Sequence, residues 1–343
     1  MSHLQIFNTN SLPKLKKPSS VMKPKSKPIS RRNFSRLSAT ALGSIPLMGF
    51  DHLLSNTSLG APDGIEVHLF SKHLQFLDYN EMAAATAEMG FDGLDLTVRP
   101  KGHVLPEKVI DNLPKAVNAM KKYGIAPKAM TTNVWNIKEP EELRVLETAS
   151  KLGFSHYRTA WLNYPEDRTV AESQALYAQQ AKALERVNEE LGLFGCYQNH
   201  AGNHVGAPIW DLLPILSATR NQHIGCQYDI RHAVVEGGTS WELGLRQIQP
   251  FIKSLVIKDF KWGLVDGRWK PVNTPLGEGM VDFKRYFALL KKYKINVPVS
   301  LHLEYYLGGA EHGNSKISIP KKEVFAHMKR DLGFLRNTWQ NTP

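Results

Sequence analysis

The sequence predicts an α/β chain folded as a (β/α)8 TIM barrel, a single domain preceded by an export signal. Three observations carry that reading. Short apolar runs recur about every thirty residues, each long enough for a buried strand. Amphipathic stretches that stop at glycine lie between them. Several runs break off into a charged or imidazole side chain, and the active site of a parallel barrel is assembled from such strand ends. The clearest are 93–99, 194–200, 225–229, 255–259 and 299–304.

The periodic pattern begins at Ile65, with strand one over 66–70 and a helix from Asn80 to Met89 closing on Gly90. Strand two covers 93–98, followed by a helix from Pro106 to Tyr123 with Gly124 placed to cap it. Strand three is 127–132, and its helix runs from Glu139 to the residues before Gly153. Strand four is 156–160, and the longest amphipathic helix, 169–191, stops at Gly192. Strands five to eight alternate with helices near 208–218, 240–249 and 282–293, and a last helix over 320–338 closes the ring. Strict alternation argues for an all-parallel sheet with helices outside; an open doubly wound sheet is the other arrangement it allows. No G-x-G-x-x-G loop follows strand one, which weighs against dinucleotide binding. Asp266-Gly267 predicts a hairpin turn within 262–270, an excursion suited to walling one side of a pocket.

The formal charge of +11 on 343 residues invites thoughts of nucleic acid. Residues 1–36, however, hold nine Lys or Arg and no acid, so the body carries only +2 and offers little grip on phosphates. The basic head is read as a targeting segment. Arg31-Arg32-Asn33-Phe34, followed by moderately apolar residues 37–50, resembles a twin-arginine export signal, with Ser35 where leucine is usual. The domains are therefore a signal and basic tail over 1–50, a linker over 51–62 and the barrel over 63–338. The expected location is the periplasm, reached through the twin-arginine machinery, with no integral membrane segment. Cys196 and Cys226 fall on neighbouring strands with opposite facing, so no disulfide is expected.

Applied to the strand ends, the two-residue alternation brings Asp95, Arg99, Arg158, Gln198, His200, Asp229, Lys258, His302 and Glu304 to the mouth. Two carboxylates with imidazoles suit a divalent cation such as Mn²⁺, Zn²⁺ or Mg²⁺, and the same carboxylates suit acid–base work. Burying so many charges without pairing, metal or ligand is costly. Duller roles are weighed beside these: Asp259 as an ion-pair partner, Arg158 as a partner of Asp95, and His156, His223 and His312 as surface or capping groups. Trp161, Trp210 and Trp241 read as packing.

From Ile65 to Arg336 the chain resembles the xylose-isomerase-like TIM barrel superfamily, in particular its sugar phosphate isomerase/epimerase branch. The resemblance rests on 90–96 (GFDGLDL), 197–200 (YQNH), 228–232 (YDIRH), Lys258-Asp259, 275–283 (PLGEGMVDF) and Leu303-Glu304. It implies a metal-assisted proton transfer beside a carbohydrate carbonyl. Asp229 then stands as the metal aspartate, His232 as a substrate-contacting histidine and Glu304 as the last glutamate. Two departures stand out: Gln198 takes the place of the usual first glutamate, and Val256 that of the metal histidine. His200 and His302 are the candidates to compensate. Either the cation sits in an altered set or Lys258 and Glu304 act without one; the altered set is the expectation.

The expected assignments are then Glu304, Lys258 and Asp229 as catalytic groups and Asp229, Glu304, His200 and His302 around the metal. His232, Arg99, Arg158, Gln198 and Asp95 would contact the carbohydrate. An isomerase or epimerase is expected, with a 3-keto-glycoside lyase, a non-catalytic sugar-binding barrel and an apurinic-site endonuclease as alternatives.

Overall fold

A computed structural model describes residues 64–343; the expected export signal and linker fall outside the described residues. Eight parallel strands close into a barrel: β1 (Val67–Phe70), β2 (Gly93–Val98), β3 (Ala129–Thr132), β4 (His156–Arg158), β5 (Phe194–Gln198), β6 (Ile224–Asp229), β7 (Ile252–Ile257) and, after an inserted hairpin, β10 (Val299–Leu301). The insertion pairs β8 (Asp259–Val265) with β9 (Arg268–Thr274), and Asp266 and Gly267 turn it with φ of 51° and 72°. The expected excursion is present and longer than 262–270.

Around the strands lie α1 (Tyr79–Met89), α2 (Val109–Lys122), α3 (Pro140–Leu152), α4 (Val170–Leu191), α5 (Leu212–Leu216), α6 (Ile230–Gly237), α7 (Trp241–Ile248), α8 (Phe283–Lys292) and α9 (Lys321–Gln340). The longest, α4, starts on a capping box, in which the Thr169 hydroxyl accepts from Glu172 N–H and the Glu172 carboxylate accepts from Thr169 N–H. It ends at Gly192, whose φ of 67° is the left-handed turn that favours glycine. Two helices depart from expectation. The one expected over 208–218 shrinks to α5 behind a 3-10 turn, because Pro214 lies within it. The single helix expected over 240–249 is preceded by a separate one, α6, which starts directly at the end of β6.

Register sorts the side chains into two faces. Leu94, Leu96, Tyr197, Tyr228 and Leu301 point outward and are buried beneath the helices. Burying such side chains contributes about 1.5–3 kcal/mol each for the aliphatic ones. Tyr157 donates its hydroxyl to Asn188 of α4 at 2.9 Å, so its polar end is satisfied in that layer. Tyr197 stands opposite Cys226 across β5 and β6, so Cys196 and Cys226 face opposite sides; both are buried free thiols, raised by burial, Cys196 to about 12.

The inward face is polar. Asp95, Arg158, Gln198, Gln227, Asp229, Ser254, Ser300 and His302 are all buried there, where barrels of this kind usually hold branched aliphatic residues. Near the amino-terminal end, His68, Asp95, Gln227, Ser254 and Ser300 line a cavity of about 10 Å³. His68 Nδ1, Gln227 Oε1 and Ser254 Oγ have no protein partner, which is the setting in which a single buried water is held.

Candidate active site

The two acids converge through a lysine. Lys258 Nζ lies 3.2 Å from Asp229 Oδ2 and 3.3 Å from Glu304 Oε2, and both Lys258 and Asp229 are fully buried. Asp229 ends β6 and caps α6: its Oδ1 accepts from His232 N–H at 3.2 Å. Gln198 Nε2 donates to Oδ2 at 2.8 Å, so each oxygen of Asp229 is already engaged. Asn199 locks the backbone, donating to Asp229 O at 3.0 Å and accepting from Asp229 N–H at 2.8 Å. Burial raises the Asp229 carboxyl above its ordinary value against the opposing pull of Lys258 and the His232 and Gln198 donors.

Glu304 is the reachable acid. Its side chain is 25% exposed, its Oε1 lies 3.3 Å from Lys72 Nζ, and its Oε2 faces Lys258. Burial pushes its carboxyl up, but the ammonium groups of Lys258 and Lys72 hold it well below the usual range. It is therefore ionised, open to the mouth and bracketed by two ammonium groups. Asn273 on β9 donates to Glu304 O at 3.3 Å, tying the hairpin to this position.

Hydrogen-bond partners assign the histidine tautomers. The Ser300 hydroxyl gives its proton to Asp95 Oδ2 at 2.6 Å, so it accepts from His302 Nε2–H at 3.1 Å. His302 Nδ1 is left as a buried lone pair, 3.9 Å from Glu304 Oε1. Burial, with help from Lys258, lowers this imidazole to about 3 despite Glu304. Arg231 donates to His232 Nδ1 at 3.0 Å, which places the proton of the neutral ring on Nε2. That buried N–H has no hydrogen-bond partner and lies 3.6 Å from Asp229 Oδ2. His200 donates Nδ1–H to Ala201 O at 2.8 Å, packs at a tilt of 38° with its ring centroid 4.0 Å from that of His232 and is lowered by burial and Lys258 to about 4.

The remaining expected residues divide. Arg158 makes long contacts of 3.4 Å to Gln198 Oε1 and Thr132 O and lies 4.4 Å over Trp161; it makes no ion pair with Asp95. Arg99 lies 6.0 Å over Phe70 and its Nε has no partner. Asp95 is buried, accepting from Thr131 and Ser300, and so acts on His302 through Ser300 instead of reaching the mouth. Trp161 packs on both Arg158 and His200, closer to the site than packing alone implies. Asp259 is not an ion-pair partner: its Oδ1 accepts from Phe260 and Val281 N–H, and its Oδ2 from Gly277 and Gly279 N–H, both at 3.0 Å. A Cβ at Gly279 would stand 2.2 Å from Asp259 Oδ1, so glycine is required there.

Two residues escaped the sequence reading. Lys72 follows β1 in a 3-10 turn, and the only signal was its position two residues beyond a strand end. His73, beside it, donates to Ala310 O and accepts from Leu303 N–H at 3.0 Å, fixing the segment that carries Glu304.

The residues present do not fit a divalent cation held between Asp229 and Glu304. The ammonium of Lys258 already occupies the gap, Val256 supplies no ligand, and His232 turns a proton toward Asp229. Among the described residues no three His, Cys, Asp or Glu side chains stand close enough to hold a metal ion, so the expected set of Asp229, Glu304, His200 and His302 is not assembled. His200 and His302 each keep one lone pair, but His200 packs on His232 whereas His302 lies by Glu304.

Comparison with solved structures places the same architecture in three named proteins. The chain is similar to the 3-keto-D-glucoside 4-epimerase YcjR of E. coli (14% identity, TM-score 0.58, covering 80% of this chain and 99% of that one). It is similar to D-psicose 3-epimerase of Clostridium cellulolyticum H10, solved with D-tagatose (12% identity, TM-score 0.60, 80% and 99%). It is also similar to a xylose isomerase-like TIM barrel protein of Mycobacterium smegmatis in complex with magnesium (12% identity, TM-score 0.58, 80% and 98%). No curated protein matches the sequence. Residues 83–325 match one family across most of the barrel, and the chain belongs to it: the xylose isomerase-like TIM barrel family.

Proposed function

We propose that the protein is a sugar isomerase-like enzyme that moves a proton beside a carbohydrate carbonyl. The observation that carries this is the ionised, reachable Glu304 held against the buried Lys258–Asp229 pair. Glu304 removes the proton next to the carbonyl; the C–H electrons form the enediolate double bond and the carbonyl oxygen takes the charge. Lys258 and the unpartnered Nε2–H of His232 stand where that oxyanion needs donors. Glu304 then returns the proton to the former carbonyl carbon, while the neighbouring hydroxyl becomes the new carbonyl and its proton passes to the oxyanion. In elimination the charge instead re-forms the original carbonyl and expels from the next carbon a leaving group, which takes a proton from water, so isomerisation and elimination share the first step. Asp229, saturated by three donors, positions Lys258 and takes no proton.

The similar structures named above as epimerases support a carbohydrate substrate. Inversion of a centre needs a second acid on the opposite face, and Asp229 is not free for that, which favours same-face transfer. We propose that Lys258 supplies the positive charge that a divalent cation would otherwise bring. Export to the periplasm remains part of the reading on the strength of Arg31-Arg32 and residues 37–50; cell fractionation comparing the full chain with R31K/R32K checks it.

Solvent deuterium incorporation tests the chemistry. Incubated in D₂O with a panel of ketoses and 3-keto-sugars, the protein incorporates label at the carbon beside the carbonyl of at least one. No incorporation across the panel, with and without added Mn²⁺, leaves a non-catalytic sugar-binding barrel as the better reading.

A further inference from the structure

We infer that the sugar recognised here carries a negative charge, a carboxylate or a phosphate, held by Arg99 and Arg158; this rests on the carbohydrate reading above. Two guanidinium groups line the mouth without a carboxylate partner. Arg158 is 3% exposed, has an orphaned Nε and makes only two long contacts, to an amide and a carbonyl oxygen. Arg99 makes no side-chain hydrogen bond among the described residues and also has an orphaned Nε. The nearby acids are committed elsewhere: Asp95 to Thr131 and Ser300, Asp229 to Lys258, and Glu304 to two lysines.

A buried cation without a partner is costly, and the cost persists in a fold only where something outside the fold offsets it. Burial, together with the charge of Arg99, brings the Arg158 guanidinium down to about 9. Each guanidinium offers a planar fork matched to carboxylate or phosphate oxygens. Their placement is fixed by aromatic faces, Arg99 over Phe70, which stacks 4.1 Å from His302, and Arg158 over Trp161. An anion held here therefore lies beside the two rings that back the guanidinium groups, one of which stacks on His302.

The test compares matched pairs on the full chain by calorimetry at low salt: D-glucuronate with D-glucose, and D-fructose 6-phosphate with D-fructose. At least one anion is expected to bind at least about tenfold more tightly than its neutral partner, a difference of about 1.4 kcal/mol. The pair that shows it tells carboxylate from phosphate. R158Q and R99Q should each remove most of that preference, bringing anion and neutral partner within about threefold of each other; R99Q serves if R158Q does not fold. Anion and neutral sugar binding equally in both pairs, or a preference that survives R99Q, overturns the inference. Deuterium exchange into neutral sugars without any anion preference would sink this inference alone, whereas anion preference without exchange would sink the proposed chemistry alone.

Discussion

The two ends of the barrel carry the same kinds of side chain and put them to different use. At the amino-terminal end Glu66 meets His68 at 3.0 Å and also pairs with Lys128, with Glu66 and Lys128 each 36% exposed. At the carboxyl end Glu304 meets His302, Lys72 and Lys258, but here the lysine is buried and a second acid, Asp229, lies beneath it. Water shares the lower cluster, so its charges are screened and it needs no ligand. In the upper cluster water reaches Glu304 and part of Lys72 but not Lys258 or Asp229, and its electrostatics are correspondingly stronger. Residue type alone does not mark a site; the burial of one partner and the exposure of the other do.

The largest expected contrast is catalytic. E304Q should abolish deuterium exchange, by about 10³-fold or more, within the range that a general base supplies, while E66Q changes it less than about threefold. Equal losses would erase the distinction between the ends. Next comes the lysine pair. K258M strands a buried Asp229 and should cost about 3 kcal/mol in chemical denaturation and about 10²-fold in exchange, whereas K128M costs under about 1 kcal/mol. Exchange by the native protein should also survive dialysis against EDTA; loss on chelation, restored by Mn²⁺, would return the upper end to a metal site.

The smallest effect sharpens the lower end. The Glu66 carboxyl is held at about 2 by His68 and Lys128 against the upward push of burial. A depressed acid stabilises the fold fully above its unfolded value of 4.5 and loses that contribution as pH falls toward 2. The gap between E66Q and wild type, under about 1 kcal/mol at neutral pH after screening, should close over that window. At the upper end Glu304 follows the same sign, but Asp229, raised by burial, is penalised when ionised and relieved on acidification, so the two partly cancel. Equilibrium denaturation from about pH 2 to 7 reads both.

The barrel was legible because most strands are apolar runs with a polar end and the first four long helices stop at or just before a glycine, Gly90, Gly124, Gly153 and Gly192. So was the convergence of positions 229, 258 and 304, since two-residue alternation decides facing without knowledge of packing. Lys72 was not, because it lies in a turn where no periodicity applies. The cation's identity was hidden as well. Sequence showed Val256 and Gln198 in place of ligands, but not that the Lys258 side chain bends between the two acids. The helix carrying His232 was missed because Asp229 ends a strand and caps a helix at once, leaving no loop for turn residues to announce.

The knot of four amides around Asp259 has a consequence for its neighbour. Residue 258 is anchored on one side by β7 and on the other by a carboxylate that grips residues 260, 277, 279 and 281. The lysine stem therefore leaves a backbone with little freedom to relax, and its charge is in place before the proposed sugar arrives. On that proposal solvent has no need to rearrange when negative charge develops, because the responding dipoles were oriented when the chain folded.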